Sequence, residues 1–254
     1  MSLTDKKIIV TGGSKGIGFA TAQELVKQGA KVALLARNQE SIDKAIELLG
    51  NDKAIGYSVD VSDHPGVLSA FDKIHKELGV IDAVINNAGL AIPNAIEKIL
   101  PEALNKQIQV NFVGVVYCCQ AAIPYLRQSK GRIINISSAS VLNNDEMAHM
   151  SIYSATKAAV ARFTEELREE LKADGIGVTL LSPGFAITEF GSAWNEAATI
   201  DALRAWAARG PNFNGSMQAA DVGKAIAHCL DYPTGVAIDF LEVRPYVPSP
   251  KPIL

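Results

Sequence analysis

The chain has 254 residues, of which 48% are hydrophobic and 20% charged, and carries a formal net charge of -3. This length suits one α/β domain whose own apolar core needs no disulfide or metal staple. The acidic balance excludes a nucleic-acid platform as the first expectation, and no signal region or membrane-length apolar run is apparent, so a soluble cytoplasmic protein is expected. Its cysteines, Cys118, Cys119 and Cys229, show neither C-x-x-C nor metal-ligand spacing, and the four histidines show no metal pattern either. Core thiols in a reducing compartment and no metal site are therefore expected.

Short apolar runs alternate with helical periodicity along the chain. Strands are expected over residues 7–11, 31–36, 54–59, 82–86, 132–137, 177–182 and 237–243. Helices are expected over 17–28, 41–49, 65–78, 101–129, 151–174 and 220–230. Runs such as Ile8-Ile9-Val10 and Val32-Ala33-Leu34-Leu35 are apolar on both faces, which marks a parallel sheet covered on both sides. Gly29, Gly79, Gly131 and Gly175 follow the helices, where left-handed C-caps are expected. The reading is one α/β domain over 1–254. It is a Rossmann-type, doubly wound parallel sheet of about seven strands with helices on both faces, and ligand binds at the strands' C-terminal ends. Residues 185–214 lack a clean pattern yet hold Phe190, Trp194, Trp206 and Phe213, so about 185–215 is expected to form a substrate lid. The proline-rich tail, 245–254, is expected to run extended.

Between the first strand and first helix lies Thr11-Gly12-Gly13-Ser14-Lys15-Gly16-Ile17-Gly18. Gly12 permits the tight turn, Gly16 lets backbone approach a pyrophosphate, and Gly18 lets helix pack closely on strand. The helix N-terminus then offers free N–H groups and partial positive charge. This G-x-x-x-G-x-G spacing resembles the coenzyme loop of the short-chain dehydrogenase/reductase family, over nearly the whole chain. The second strand ends Ala36-Arg37, with no acidic residue to accept a ribose 2′-hydroxyl. Lys15 and Arg37 instead resemble the family's NADP-preferring pair, which would neutralise a 2′-phosphate. The resemblance implies NADP(H) as cofactor, with Ser14 and Ile17 in the loop. It also implies an adenine contact from Asp60 and Val61, although Asp60 could simply cap a turn. Asn87-Ala88-Gly89 completes the family's N-N-A-G motif beside the coenzyme. Pro183, Gly184, Ile187 and Thr188 match its P-G-x-x-x-T segment, which holds the nicotinamide; Thr188 could alternatively cap a lid helix.

Ser138 closes the fifth strand, and Tyr153 and Lys157 follow fifteen and nineteen residues later. Positions i and i+4 of a helix share a face, so Tyr153 and Lys157 would project together. Hydride reduction of a carbonyl leaves an alkoxide that needs a proton. The free phenol pKa of about 10 is too high for easy proton exchange near neutrality, and a lysine ammonium nearby would lower it. Tyr153 is thus the expected general acid or base, and a serine at the end of the fifth strand the group that holds the carbonyl oxygen; between adjacent Ser137 and Ser138, the resemblance to the family selects Ser138. The resemblance adds Asn111, linked to Lys157 through water in a proton relay; a plain core hydrogen bond is the alternative.

Expected pocket residues are Ile92, with Ala91 and Pro93, and Leu142 and Met147, with Val141. This apolar lining suits a small-molecule ketone, aldehyde or secondary alcohol with hydrophobic substituents. Arg204, Arg209 and Arg244 keep an oxo-acid or oxoacyl substrate open, and His149 is either a pocket or a plain loop residue. Apolar surplus on helices 101–129 and 151–174 suits a homo-dimer or homo-tetramer. The rival readings are a non-enzymatic NADP(H) sensor and an extended epimerase relative. The retained Ser138, Asn111, Tyr153 and Lys157 count against the first, and the loop spacing and chain length against the second.

Overall fold

The computed structural model describes residues 3–141, 148–192, 194–208, 212–213 and 215–250. Seven strands form one sheet: β1 Lys7–Thr11, β2 Lys31–Ala36, β3 Ala54–Ser58, β4 Ala83–Asn86, β5 Arg132–Ile136, β6 Gly177–Pro183 and β7 Phe240–Val243. Their order is β7-β6-β5-β4-β1-β2-β3, and every neighbouring pair runs parallel. The winding reverses between β1 and β4, so the crevice expected at a switch point opens past Thr11 and Asn86. Thr11, Val61, Ala88 and Gly114 line a narrow cleft there.

The helices are α1 Gly16–Lys27, α2 Gln39–Leu49, α3 His64–Leu78, α4 Pro101–Ser129, α5 Ser151–Leu171, α6 Glu196–Ala207 and α7 Ala219–Leu230. Period-two alternation distributes each strand between two cores. Ile8, Val10, Val32 and Leu34 pack with Leu25, Ala45, Val222 and Ile226 of α1, α2 and α7. Ile9, Ala33, Leu35 and Val84 pack with Phe71, Cys118, Leu126 and Leu167 of α3, α4 and α5. All three thiols are free and buried. Burial pushes the Cys119 thiol up to about 12 and Cys229 up to about 11, as befits inert core groups.

Several boundaries differ from the sequence pattern for local reasons. Asn38 accepts a hydrogen bond from the Ser41 N–H at 2.7 Å, so α2 starts two residues early. Gly29, Gly79 and Gly175 do take positive φ, but at the α4 terminus Lys130 takes it (φ 48°) and Gly131 does not. Gly131 is instead required for close approach, since a Cβ there would stand 2.5 Å from the Asp82 carbonyl oxygen. The last strand starts late: the Ile238 carbonyl accepts from the Thr179 hydroxyl, and backbone pairing begins only where the Asp239 carbonyl accepts from the Leu180 N–H.

Helix α4 is not uniform. Its middle, Gln109–Val113, is a π turn between α-helical Pro101–Ile108 and Gly114–Ser129. By length and composition this helix could cross a membrane, contrary to the expectation that no segment would. Its Val110, Val115, Cys118, Cys119, Ala122 and Leu126 lie in the core, which accounts for the apolarity. The 185–214 stretch also holds more order than its pattern suggests. Ala186–Ile187 pairs in parallel with Met217–Gln218, Asn212–Phe213 pairs with Ser249–Pro250, and Asn195 caps α6 by accepting from the Ala198 N–H at 3.1 Å. That helix escaped the periodicity because only Ala202 of it is fully buried.

Candidate active site

The glycine loop connects the end of β1 to α1. Gly16 stands at φ 54°, and a Cβ there would lie 3.4 Å from the Thr188 side chain. Gly18 is closer still to its neighbours: a Cβ would lie 2.2 Å from the Gly12 carbonyl oxygen and 2.6 Å from Asn87 Nδ2. Gly18→Ala is expected to destabilise the fold by about 3 kcal/mol in chemical denaturation, since backbone cannot yield as a side chain can. The Asn87 amide braces this turn by donating to the Thr11 carbonyl at 3.0 Å. The Thr11 hydroxyl accepts from the Asn87 and Ala88 N–H groups, both at 3.0 Å, a role the sequence reading missed.

The start of α1 has no side-chain cap and no acidic residue in its first turn. Uncapped N–H groups and the helix dipole beside left-handed glycines fit a phosphate anion. Lys15 at that terminus lies 3.6 Å from Glu189, and its charge also reaches Glu40 at the start of α2. Arg37 is exposed at the end of β2, and its charge acts on Asp60. Asp60 caps a turn, accepting from the Ser62 N–H at 2.9 Å and the Ser62 hydroxyl at 2.7 Å. Burial pushes the Asp60 carboxyl up, but these bonds and the Arg37 and Lys106 charges leave it below its usual value. Val61 is buried against Gly114, where a Cβ would meet it at 2.7 Å.

Past β5 the chain turns through Ala139–Val141, and α5 brings Tyr153 and Lys157 to the same place. The Ser138 and Tyr153 hydroxyls are hydrogen-bonded. Lys157 Nζ lies 5.9 Å from the Tyr153 ring centre and donates to the Ile136 carbonyl at 2.8 Å. Ser137, by contrast, donates to the Lys157 carbonyl at 2.9 Å and so ties α5 to β5. The electrostatics correct the expectation of an acidified phenol. Burial raises the Tyr153 pKa, and the Ser138 hydrogen bond offsets this only in part. Lys157 is 3% exposed, and burial pulls its ammonium from 10.5 down to about 8. A cation that is itself desolvated and committed to a carbonyl does not outweigh the phenol's own burial.

Asn111 sits in the π turn and is fully buried. Its amide exchanges hydrogen bonds with the Leu90 backbone, donating to the carbonyl and accepting from the N–H at 2.8 Å each, and donates to Thr156 at 3.1 Å. The side chain therefore pins the loop after Gly89 onto the helix of Tyr153. A Cβ on Gly89 would lie 3.4 Å from both Asn111 Oδ1 and Lys157 Nζ, so the three residues share one corner. Ile92, half-buried, donates its N–H to Gln107 at 3.1 Å, while Ala91 and Pro93 are buried. Leu142, Met147 and Arg209 lie outside the described residues.

The segment after β6 passes over this corner. The Thr188 hydroxyl accepts from the Phe190 N–H at 3.2 Å, a local turn rather than the cap of a helix. Phe190 packs edge-on to Tyr153 with ring centres 5.8 Å apart. Trp194 follows at 6.2 Å from Phe190, and Trp206 at 6.4 Å from Trp194. Trp206 Nε1 donates to the Ala148 carbonyl at 2.6 Å. The run of aromatics was visible in the sequence, but its order against Tyr153 was not. Arg244 pairs with Glu242 at 2.6 Å, and His149 adopts φ 66° with its carbonyl accepting from the Asn94 N–H.

Comparison with known proteins places this geometry. The family model for short chain dehydrogenase matches residues 6–199. An uncharacterized oxidoreductase of Staphylococcus aureus (strain USA300) is 34% identical over 244 residues, 96% of this chain and 98% of its own. Another, from Staphylococcus saprophyticus, is 34% identical over 249 residues, covering 96% and 99%. Among solved structures, a serine dehydrogenase in its closed form with NADP+ superposes with TM-score 0.82 at 28% identity, over 94% of each chain. Serine dehydrogenase from Escherichia coli gives 0.77 at 27%, over 94% and 97%. An alcohol dehydrogenase of the archaeon Thermococcus sibiricus, complexed with 5-hydroxy-NADP, shares the fold with TM-score 0.81 at 24% identity, over 95% and 97%.

Proposed function

Because the chain belongs to the short-chain dehydrogenase family and is an oxidoreductase of that kind, we propose that it is an NADP(H)-dependent carbonyl reductase or alcohol dehydrogenase. The substrate is a ketone or aldehyde with hydrophobic substituents, or the matching secondary alcohol. The observation that carries this reading is the cluster of Ser138, Tyr153 and Lys157 at the C-terminal edge of the sheet, beside an uncapped helix start. The coenzyme, when bound, supplies or takes the hydride. Gly12, Ser14, Gly16, Ile17 and Gly18 hold its phosphates, Asp60, Val61, Asn87, Ala88 and Gly89 flank it, and Pro183, Gly184, Ile187 and Thr188 orient its reactive ring. Ser138 holds the carbonyl oxygen, and Tyr153 hands it the proton. Lys157 stands behind Tyr153 as a charge, and Asn111 fixes the helix that carries both.

The NADP preference rests on Lys15 and Arg37. Serine dehydrogenase, a structural neighbour, binds NADP+, and here Ala36 leaves no carboxylate to favour the 2′-hydroxyl. Arg37→Ala is expected to raise the KM for NADPH at least tenfold while changing that for NADH less than twofold. Equal effects in steady-state assays would overturn the assignment. The decisive test of the activity is loss of NADPH absorbance against hydrophobic ketones. No turnover despite tight NADPH binding would sink it. We place the enzyme in the cytoplasm as a homo-dimer or homo-tetramer. Three buried reduced thiols and the half-buried Phe112, Tyr117, Ile123 and Phe163 on α4 and α5 support this.

A further inference from the structure

Trp194 carries a polar atom that the fold leaves unused. Its indole Nε1 is shielded from solvent and has no hydrogen-bond partner among the described residues. The neighbouring Trp206 spends its own Nε1 on the Ala148 carbonyl at 2.6 Å, so the two indoles are not equivalent. A buried, unpaired N–H is costly, and one beside a reacting centre marks a place for a ligand acceptor. Phe190 packs against both Trp194 and Tyr153, and the residue is nonetheless 44% exposed. Phe185 and Ile187 on the same stretch are also exposed, at 66% and 51%. The stretch next to the catalytic phenol thus combines exposed aromatic and aliphatic side chains with a buried, unpaired indole N–H behind them.

Three described cations on this side, Lys15, Lys98 and Arg244, are already paired with carboxylates. Lys15 pairs with Glu189 at 3.6 Å, Lys98 with Asp201 at 3.8 Å, and Arg244 with Glu242 at 2.6 Å. A carboxylate set against indole and phenyl would remain uncompensated. A neutral oxygen, by contrast, satisfies the indole N–H without importing charge.

Resting on the proposed carbonyl reduction, we infer that Phe190 and Trp194 form a substrate subsite for aryl carbonyl compounds that carry a second, neutral acceptor oxygen, as aryl keto esters do. The aryl group lies edge-on to Phe190, where ring pairs gain beyond area burial. The second oxygen accepts from Trp194 Nε1.

The test uses four matched probes with the full-length protein and NADPH: methyl benzoylformate, benzoylformate, acetophenone and methyl pyruvate. Wild type is expected to favour methyl benzoylformate over benzoylformate at least tenfold in kcat/KM. Trp194→Phe, which keeps a ring and removes the donor, is expected to lower kcat/KM for methyl benzoylformate about tenfold more than for acetophenone. Phe190→Ala is expected to lower both aryl esters and aryl ketones about tenfold more than methyl pyruvate. If Trp194→Phe scales methyl benzoylformate and acetophenone by one common factor, the subsite is wrong even while the enzyme reduces carbonyls. A wild-type preference for benzoylformate also overturns it, and this arm decides alone should Trp194→Phe fail to fold. Should none of the four be reduced, or should Tyr153→Phe reduce them as well as wild type, the carbonyl-reductase reading itself falls.

Discussion

Tyr153→Phe is expected to lower kcat at least about 1000-fold while NADPH binding, followed by titration calorimetry, persists. General acid catalysis alone accounts for roughly 100- to 10000-fold. Removing the hydroxyl also removes the interaction between Tyr153 and Ser138, although Ser138 itself remains to hold the carbonyl oxygen. The phenyl ring keeps its edge contact with Phe190, so the fold is preserved. The pH profile sharpens the test. Burial holds the Tyr153 phenol above its ordinary value, so it is protonated at neutral pH and ready to donate. Reduction should therefore run at neutral pH, and oxidation, which needs the phenolate, should climb as pH rises. An oxidation rate flat from neutral into alkaline pH would contradict Tyr153 as the base.

Lys157→Met should give an enzyme that is nearly inactive and more stable. The native ammonium falls from 10.5 to about 8 because burial disfavours its charged form. At about 1.4 kcal/mol per pH unit, that is on the order of 3 kcal/mol of native-state penalty at neutral pH. Losing the hydrogen bond to the buried Ile136 carbonyl returns about 1 kcal/mol, the low end of roughly 1–3 kcal/mol for a buried acceptor left unpaired, because the carbonyl lies at the end of β5. The net gain of about 2 kcal/mol corresponds to a Tm higher by roughly 4–8 °C for a chain of this size. The sign follows from linkage. Between about pH 8 and 10.5 the unfolded chain keeps the proton that the folded chain has lost, so wild-type stability rises with pH in that window. The methionine variant lacks this contribution, and the gap between the two proteins should narrow as pH rises. A gap independent of pH, or a variant less stable at pH 7, would refute the buried-charge account.

The sheet was legible because its signals are local. Ile8-Ile9-Val10 and Ile133-Ile134 are apolar on both faces, and the glycine loop and the Tyr153/Lys157 spacing each sit within eight residues. What escaped depends on contacts distant in sequence. Nothing near Lys157 foretells that the Ile136 carbonyl takes its proton donor, or that desolvation would reverse the expected shift of the phenol. Asn111 does share a corner with Lys157 beside Gly89, but the sequence did not foretell that its amide also bonds Leu90 and Thr156 from a π turn. Helix α6 hid because an alanine-rich segment with one fully buried residue leaves no apolar stripe, although Asn195 and Glu196 carried a start signal. The left-handed Lys130 ran against the usual preference for glycine, with Gly131 beside it claimed by the crowding of Asp82.

The protein has two tryptophans, and both lie on the aromatic run that ends at Tyr153. Its intrinsic fluorescence therefore originates beside the reacting centre, with no indole in the distant core to dilute it. A reduced nicotinamide absorbs where indoles emit, so coenzyme docking should quench that emission by energy transfer. The chain thus carries a built-in optical reporter of its own cleft, readable without any attached dye.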